Sequence, residues 1–426
     1  MEFALLKRIL EGSGWLRLGF YGRDGRLRIL VINSGSSSVK FSMYEAVGAS
    51  GDPKCLYDGE LSAIGEAEAK LELTGADGED LLAGRGVEVG KASSAVEAAR
   101  KIFEVVRGEG MPAVEAVGYR VVHPGAKIHE HVRITDAVLA EIEEAGAFAP
   151  LHDPEAVKVI REGMKQFADV GHYACFDTVF HQTMPVEATT YPLPEDVRAE
   201  GVRRYGFHGL SCESIVRQMR AAGELPKRMV IAHLGSGCSV TAVVDGRSVD
   251  TSMGLTPTGG VVMGTRPGDL DPGLVLYLLR QADGGIDAVE KMLNHKAGMV
   301  GLSGMENDVK AVRAAAAKGD EKAQLSLKVF TRSVMKVTGG YAWLMGGLDA
   351  VVFSGGIGEH DALTRAEVLS GLETIGVKLD TALNSAKENR MRRVSASDST
   401  TKVFVVPAQE DLMIAVHGYE MVRTGK

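Results

Sequence analysis

A chain of 426 residues is longer than one typical domain and has ample core for two. Hydrophobic residues at 45% and charged residues at 24% exclude a disordered or fibrous chain and give the balance of a soluble globular protein. The net charge of −8 argues against nucleic acid or an anionic membrane as main partner, and no apolar run reaches transmembrane length.

Residues 1–26 stand apart. Phe3, Leu5, Leu6, Ile9 and Leu10 share one side of a short helix, but the segment lacks the apolar core and cleavage site of a signal peptide. It reads as a disordered extension or the product of an upstream start codon. Ile29 to Ile32 is a continuous apolar run, hence a buried strand. Asn33 to Ser38 is small and polar, with Gly35 for a tight turn. Val39 to Tyr44 then alternates, with Val39, Phe41 and Met43 on one face and Lys40, Ser42 and Tyr44 on the other. Hydroxyls, backbone N–H groups and a lysine around one turn suit a phosphate; an ordinary serine-rich hairpin explains the stretch equally well.

Glu66 to Leu73 reads as a strand, Gly75 to Gly90 as loop, and Ala92 to Val106 as a helix. Ala113 to Val122 is a strand that delivers Arg120 to the turn His123-Pro124-Gly125. An arginine inside an apolar run calls for an anion, either a ligand or a structural salt-bridge partner. His123, His129 and His131 cluster without a further ligand at zinc spacing, and are expected to be solvated loop histidines. Ala149 to Pro154 is a rigid turn opening a helix over 155–166. Asp177 follows the strand around Tyr173 to Phe176, where a carboxylate serves chemistry or caps the next helix. Arg203 to Gly209 is basic and aromatic, and a helix over 211–222 follows.

At Met229 the opening pattern returns: an apolar strand, the turn His233 to Cys238, and a second strand from Ser239 to Val244. Gly35 and Gly235 take equivalent places, which reads as a domain-scale duplication. Two such hairpins, one per domain, would close on the phosphates of a nucleotide. Arg266 lies between turns, a placement that suits an anion contact. Helices run from there to about Met345, with a break over 298–307. Ala350 to Phe353 is a buried strand entering a glycine loop over 354–359, with a helix from about Thr364. A last strand, Val403 to Val406, reaches Glu410 and Asp411 before the final helix. Walker A and complete GxGxxG sequences are both absent, against P-loop and dinucleotide readings. The four cysteines show no CxxC spacing and read as reduced thiols of a cytoplasmic protein.

In order, VINSGSSSVKF, GYRVVHPG, APLHDP, FDTVFH, RRYGFHG, HLGSGCS, DTSMGLTP, MGTRPGDLDPG and FSGGIGE resemble the motifs of the acetate kinase family, from about Leu27 onward. The resemblance implies an α/β fold of two duplicated actin-like (ribonuclease H-like) domains around a central cleft, in a homodimer. It implies an N-terminal domain over 27–180 completed by a C-terminal helix over 411–426, and a nucleotide-binding domain over 181–410. The implied reaction is reversible phosphoryl transfer between ATP and acetate, giving ADP and acetyl phosphate, with Mg2+ or Mn2+. Nucleic acid and membrane are not implied as partners.

By the same resemblance, Arg120, Arg266, His208, His152 and Asp177 are the catalytic candidates, and Asn33 and Glu410 the metal residues. Lys40 and the serines Ser36 to Ser38 face the phosphates. His233, Leu234, Gly235, Ser236 and Gly237, then Asp308, Val309 and Lys310, then Gly356, Ile357, Gly358, Glu359 and His360 contact ATP. Val122, Leu151, Phe207 and Pro257, with Arg120 beside them, form the acetate pocket. Val122 follows Arg120 by two strand positions, which places both on one face. The sequence departs from the family pattern at Ser236, Lys310, His360 and Asp411, with consequences for nucleotide preference. A propionate or butyrate kinase, a pyrophosphate-using variant and a non-enzymatic actin-like nucleotide-binding protein are the rival readings.

Overall fold

The computed structural model describes residues 26–35, 38–47, 52–83, 90–147 and 153–425. The extension before Arg26, and Ser36, Ser37, Leu151 and His152 among the candidate residues, lie outside the described residues. The chain divides into two compact units, one running to Asp177 and resuming at Glu410, the other spanning Thr178–Gln409.

The first unit carries β1 Arg26–Ser34, β2 Val39–Val47, β3 Lys54–Ser62, β4 Lys70–Gly75, β5 Ala116–Val121, β6 Val132–Arg133 and β7 Gly171–Phe176. They form one sheet in the order β4-β3-β2-β1-β5-β7-β6. β1 to β4 pair antiparallel, whereas β5 lies parallel to β1 and β7 parallel to β5. Every residue from Ile29 to Ile32 is buried, as expected of a strand covered on both faces. Neighbours on β5 show what covers them. A side chain at Gly118 would run into Ile414 of the helix Glu410–Thr424, and one at Gly163 of the helix Asp153–Gln166 into the Tyr119 hydroxyl. Adjacent strand residues point to opposite faces, so these helices cover opposite sides of the sheet. The helix Ala95–Val106 buries Ala95, Ala98, Ala99, Ile102, Phe103 and Val106, a single stripe at helical spacing, and Ser94 caps its start.

The second unit carries β8 Arg228–Leu234, β9 Cys238–Val244, β10 Arg247–Thr251, β11 Ala350–Ser354, β12 Arg392–Arg393 and β13 Lys402–Val405. Its order is β10-β9-β8-β11-β13-β12, with β8 to β10 antiparallel and β11 and β13 parallel to β8. The runs β3-β2-β1-β5-β7 and β10-β9-β8-β11-β13 therefore share order and direction. The α/β class and the duplication expected from the sequence hold in this repeated strand order.

Several local expectations change. β3 and β10 were not legible as strands. Gly298–Ser303, expected as a break, is a short helix. The glycine loop after β11 is helical from its first residue, over Gly355–His360, and a second helix spans Ala362–Val368. His123 is fully buried rather than solvated. His131 is half-buried, its ring 4.1 Å from that of His417, and it accepts the N–H of Phe176 at 3.1 Å; only His129 is exposed. β5 ends at Val121, so strand alternation does not extend to Val122.

Candidate active site

In the first unit the charged candidates gather at the ends of β1, β5 and β7. The apolar interiors of these strands are committed to the core, so polar side chains appear where the strands run out. Asn33 is the next-to-last residue of β1 and pairs across the hairpin with Lys40, which is exposed. Arg120 grips Asp177 in a two-pronged ion pair, Nε to Oδ1 at 3.1 Å and Nη2 to Oδ2 at 2.5 Å. Its Nη1 donates to Asn33 Oδ1 at 3.3 Å, and Glu410 Oε2 lies 3.9 Å from its Nε. Asn33 Nδ2 donates to Asp411 Oδ1 at 3.3 Å, and Ser42 donates to Asp411 Oδ2 at 2.6 Å. One guanidinium thus holds together residues far apart in sequence, with Asp177 buried and Arg120 mostly so.

Burial holds the Glu410 carboxyl above the usual carboxylate range against the pull of Arg120, and the charges of Asp177 and Asp411 add to that rise. A cation would relieve this, and Glu410 and Asn33 offer the hard oxygen donors that Mg2+ or Mn2+ prefers. The residues present therefore fit the expected metal. Ser42 and Asp411 belong to this cluster as well. The alternation of β2 puts Ser42 on the same face as Lys40, but only the fold brings the start of the last helix to it.

In the second unit the hairpin β8–β9 carries the corresponding residues. His233, next to last in β8, pairs across with Ser239. His233 Nδ1 and the Ser211 hydroxyl are 2.8 Å apart, and His208 Nδ1 and the Ser239 hydroxyl 2.9 Å. The two imidazoles stack with centroids 4.2 Å apart. His208 has left-handed backbone angles, φ 58 and ψ 29, at the start of the helix Gly209–Ala221. Such a conformation is uncommon outside glycine, although histidine, asparagine and aspartate adopt it more readily than other residues. Arg266 Nη1 donates to the Pro257 carbonyl at 2.9 Å, so the expected pocket residue Pro257 also fixes this arginine. Gly237 is where these groups meet: a Cβ there would lie 3.4 Å from His208 Nε2 and 3.6 Å from Arg266 Nη1. A glycine leaves that space open.

A cavity of about 530 Å3 adjoins this turn. Of the expected nucleotide contacts, Gly235, Ser236, Asp308, Val309, Lys310, Gly356, Ile357 and His360 line it. Leu234 and Gly358 are buried. Glu359 turns back on the backbone: its Oε1 accepts the N–H of Gly355 at 2.9 Å and of Ala408 at 3.3 Å. Gly355 has φ +74, and a Cβ there would come 2.7 Å from the Leu234 carbonyl oxygen, so only glycine lets this helix start against β8. Asn307 and Arg313 line the cavity too and were missed. Asn307 Nδ2 donates to the Ser236 hydroxyl at 2.8 Å, while Arg313 is paired with Asp361 and Glu367. Neither sits in a glycine or proline motif, so no local sequence signal marked them. Val122 and Phe207 of the expected acid pocket are both buried, 8% and 1% exposed.

A family model described as the Acetokinase family matches residues 28–416. The acetate kinase of Geobacillus sp. (strain WCH70) is 39% identical over 398 residues, covering 91% of this chain and 97% of that protein. The acetate kinase of Clavibacter michiganensis subsp. michiganensis (strain NCPPB 382) is 41% identical over 399 residues, with the same coverage of 91% and 97%. Among solved structures, Porphyromonas gingivalis acetate kinase superposes with a TM-score of 0.80 at 34% identity, covering 93% of this chain and 100% of that one. A propionate kinase from Francisella tularensis subsp. tularensis SCHU S4 superposes with a TM-score of 0.81 at 34% identity, covering 92% and 99%. With matches that span almost its whole length, the chain belongs to the acetokinase family.

Proposed function

We propose that the protein is an acetate kinase, moving a phosphoryl group reversibly between ATP and acetate. The observation that carries the reading is the convergence of His208 and Arg266 on the open space at Gly237, next to a nucleoside-sized cavity. Phosphoryl transfer needs positioning and charge stabilisation rather than covalent help. Acetate is already an anion at neutral pH, so no strong base is required.

In this reading the cavity takes adenosine and the turn Gly235 to Gly237 receives the phosphates; Lys40 and Ser38 are the phosphate-facing candidates of the first unit. His208 and Arg266 stabilise the phosphoryl group in transfer. Arg120 orients the acid's carboxylate, and Asp177 holds Arg120 in place. Val122 in the first unit, and Phe207 and Pro257 in the second, are the apolar residues assigned to the acid's methyl group. Glu410 and Asn33 would hold the metal ion, which when bound offsets the negative charge of the phosphates.

Two further statements belong to the proposal. The protein is a homodimer: the helix Pro272–Gln281 buries none of its residues and exposes Leu274, Leu276 and Tyr277, an apolar face suited to a second copy. It works in the cytoplasm, where unbridged thiols such as Cys55 and Cys238 persist. Among the described residues no helix is long and apolar enough to cross a membrane.

A propionate kinase is the second reading, since one of that name resembles the chain as well as an acetate kinase does. Acyl phosphate formation from ATP with a panel of short acids decides between them. Activity highest with acetate supports the proposal, activity highest with propionate supports the alternative, and no acyl phosphate with any acid refutes both.

A further inference from the structure

Asp153 is an acid in a place that disfavours charge. It opens the helix Asp153–Gln166 and is only 1% exposed. Its Oδ1 accepts the backbone N–H of His123 at 3.3 Å. Its Oδ2 is buried and makes no hydrogen bond among the described residues. Buried carboxylates ordinarily have both oxygens satisfied or face a cation. Among the described residues, the charge that acts on it has the wrong sign. Asp177, at the end of β7, adds repulsion, and the guanidinium of Arg120 is committed to Asp177. His123 takes the N–H of Gly125 on its Nδ1 at 2.9 Å, so that nitrogen carries no proton. On the helix itself, Glu155 is partly exposed and paired with Lys158. The carboxyl thus ties down the turn after β5 while one of its oxygens goes unpaired.

We propose that Asp153 is a positioning residue for the acid substrate, an uncharged carboxyl that anchors the Val122–His123 turn and keeps a second negative charge away from the acid pocket. The inference rests on the reading of Val122 as part of that pocket. Burial first, and Asp177 after it, push the group up to about 8, which favours the neutral acid at neutral pH. Above that pH the new anion would repel an incoming carboxylate and strain the turn that holds Val122.

The test is steady-state kinetics from pH 6 to 9.5 on the wild-type protein and on Asp153→Asn, which keeps the shape and cannot ionise. In the wild type the KM for acetate should climb above about pH 8, approaching roughly tenfold per pH unit, with the KM for ATP nearly level. In Asp153→Asn the acetate KM should stay low and flat. Parallel wild-type and variant profiles would overturn the proposal.

Thermal unfolding without ligand gives a second readout. The folded-state pKa lies above the unfolded value, so the stabilisation from Asp153 is complete below about pH 4 and is lost as the pH rises through about 8. Between pH 6 and 9 the wild-type Tm should fall further than that of Asp153→Asn; equal falls would count against a neutral Asp153. If no short acid is a substrate the functional reading fails, and the Tm comparison still decides the protonation of Asp153.

Discussion

The two hairpins occupy the same place in the same strand order, yet their ends carry different chemistry. In the first unit the next-to-last residue of β1 and its cross-strand partner are Asn33 and Lys40; in the second the corresponding pair is His233 and Ser239. β5 delivers Arg120, while its counterpart β11 delivers Ser354 and a helix that starts at once on Gly355. The strand interiors, Ile29 to Ile32 and Met229 to Ala232, are alike in being wholly buried. Core packing therefore sets the repeated topology, and the strand ends, free of that duty, diverge. The first unit fixes its strand ends by ion pairing. The second does so by backbone packing that only glycine permits.

This contrast breaks if Asp177→Ala is mild. Removing one partner of a largely buried ion pair leaves Arg120 with only the more distant Glu410 carboxylate, at 3.9 Å, and a cost of about 3 kcal/mol is expected. Denaturant unfolding measures it. A loss under about 1 kcal/mol would mean that packing, not pairing, holds the end of β7.

Arg266→Ala sharpens the contrast from the other side. Arg266 bonds to the Pro257 carbonyl, and its own carbonyl accepts the N–H of Met263 at 3.0 Å, a backbone bond that the substitution leaves in place, so the fold should tolerate its loss. Turnover should fall by roughly 100- to 1,000-fold, as when a transition-state charge contact is removed. Circular dichroism and kcat together test it. An unfolded variant would make Arg266 structural.

Two neighbouring glycines give a smaller and more pointed test. Gly355→Ala must force a side chain into left-handed backbone and against Leu234, at a cost of about 1–3 kcal/mol. Gly356→Ala meets nothing within 4 Å and should leave stability nearly unchanged, while raising the KM for ATP because Gly356 lines the cavity. Equal losses of Tm in the two variants would show that backbone packing at Gly355 is not what holds the start of this helix.

The same contrast explains what could be read from the sequence. Glycine and proline turns betray strand ends, so Asn33, Arg120, Asp177, His233 and Arg266 stood out without a structure. β3 did not, because Gly59 interrupts it, and its reason lies elsewhere in the chain: a Cβ there would strike the Phe41 ring and the Glu72 carbonyl. Three glycines after β11 read as loop, but packing of Gly355 against β8 makes the segment helical. The backbone N–H of the buried His123 finds its acceptor in Asp153 thirty residues away, a relation no local pattern carries. Local chemistry marks where function begins, and long-range packing decides which polar groups stay dry.

The smallest effect concerns the acid pocket. Val122 lies just past the end of β5, 8% exposed, and the N–H of its neighbour His123 bonds to Asp153, so its place is set by a turn and not by strand pairing. If Val122 limits the pocket to one methyl group, propionate, larger by one methylene, should be disfavoured in the wild type by roughly 10- to 200-fold. Val122→Ala opens room for that methylene, and burying it is worth about 0.8 kcal/mol, or roughly fourfold. The kcat/KM ratio of propionate to acetate should therefore rise by about that factor, chiefly through a lower KM for propionate. The turn should keep its position, because its anchors are backbone N–H groups that the substitution leaves in place. Kinetics with both acids on both proteins measure the ratio. A ratio that does not move would remove Val122 from the pocket, and a wild type that already favours propionate would favour the propionate kinase reading.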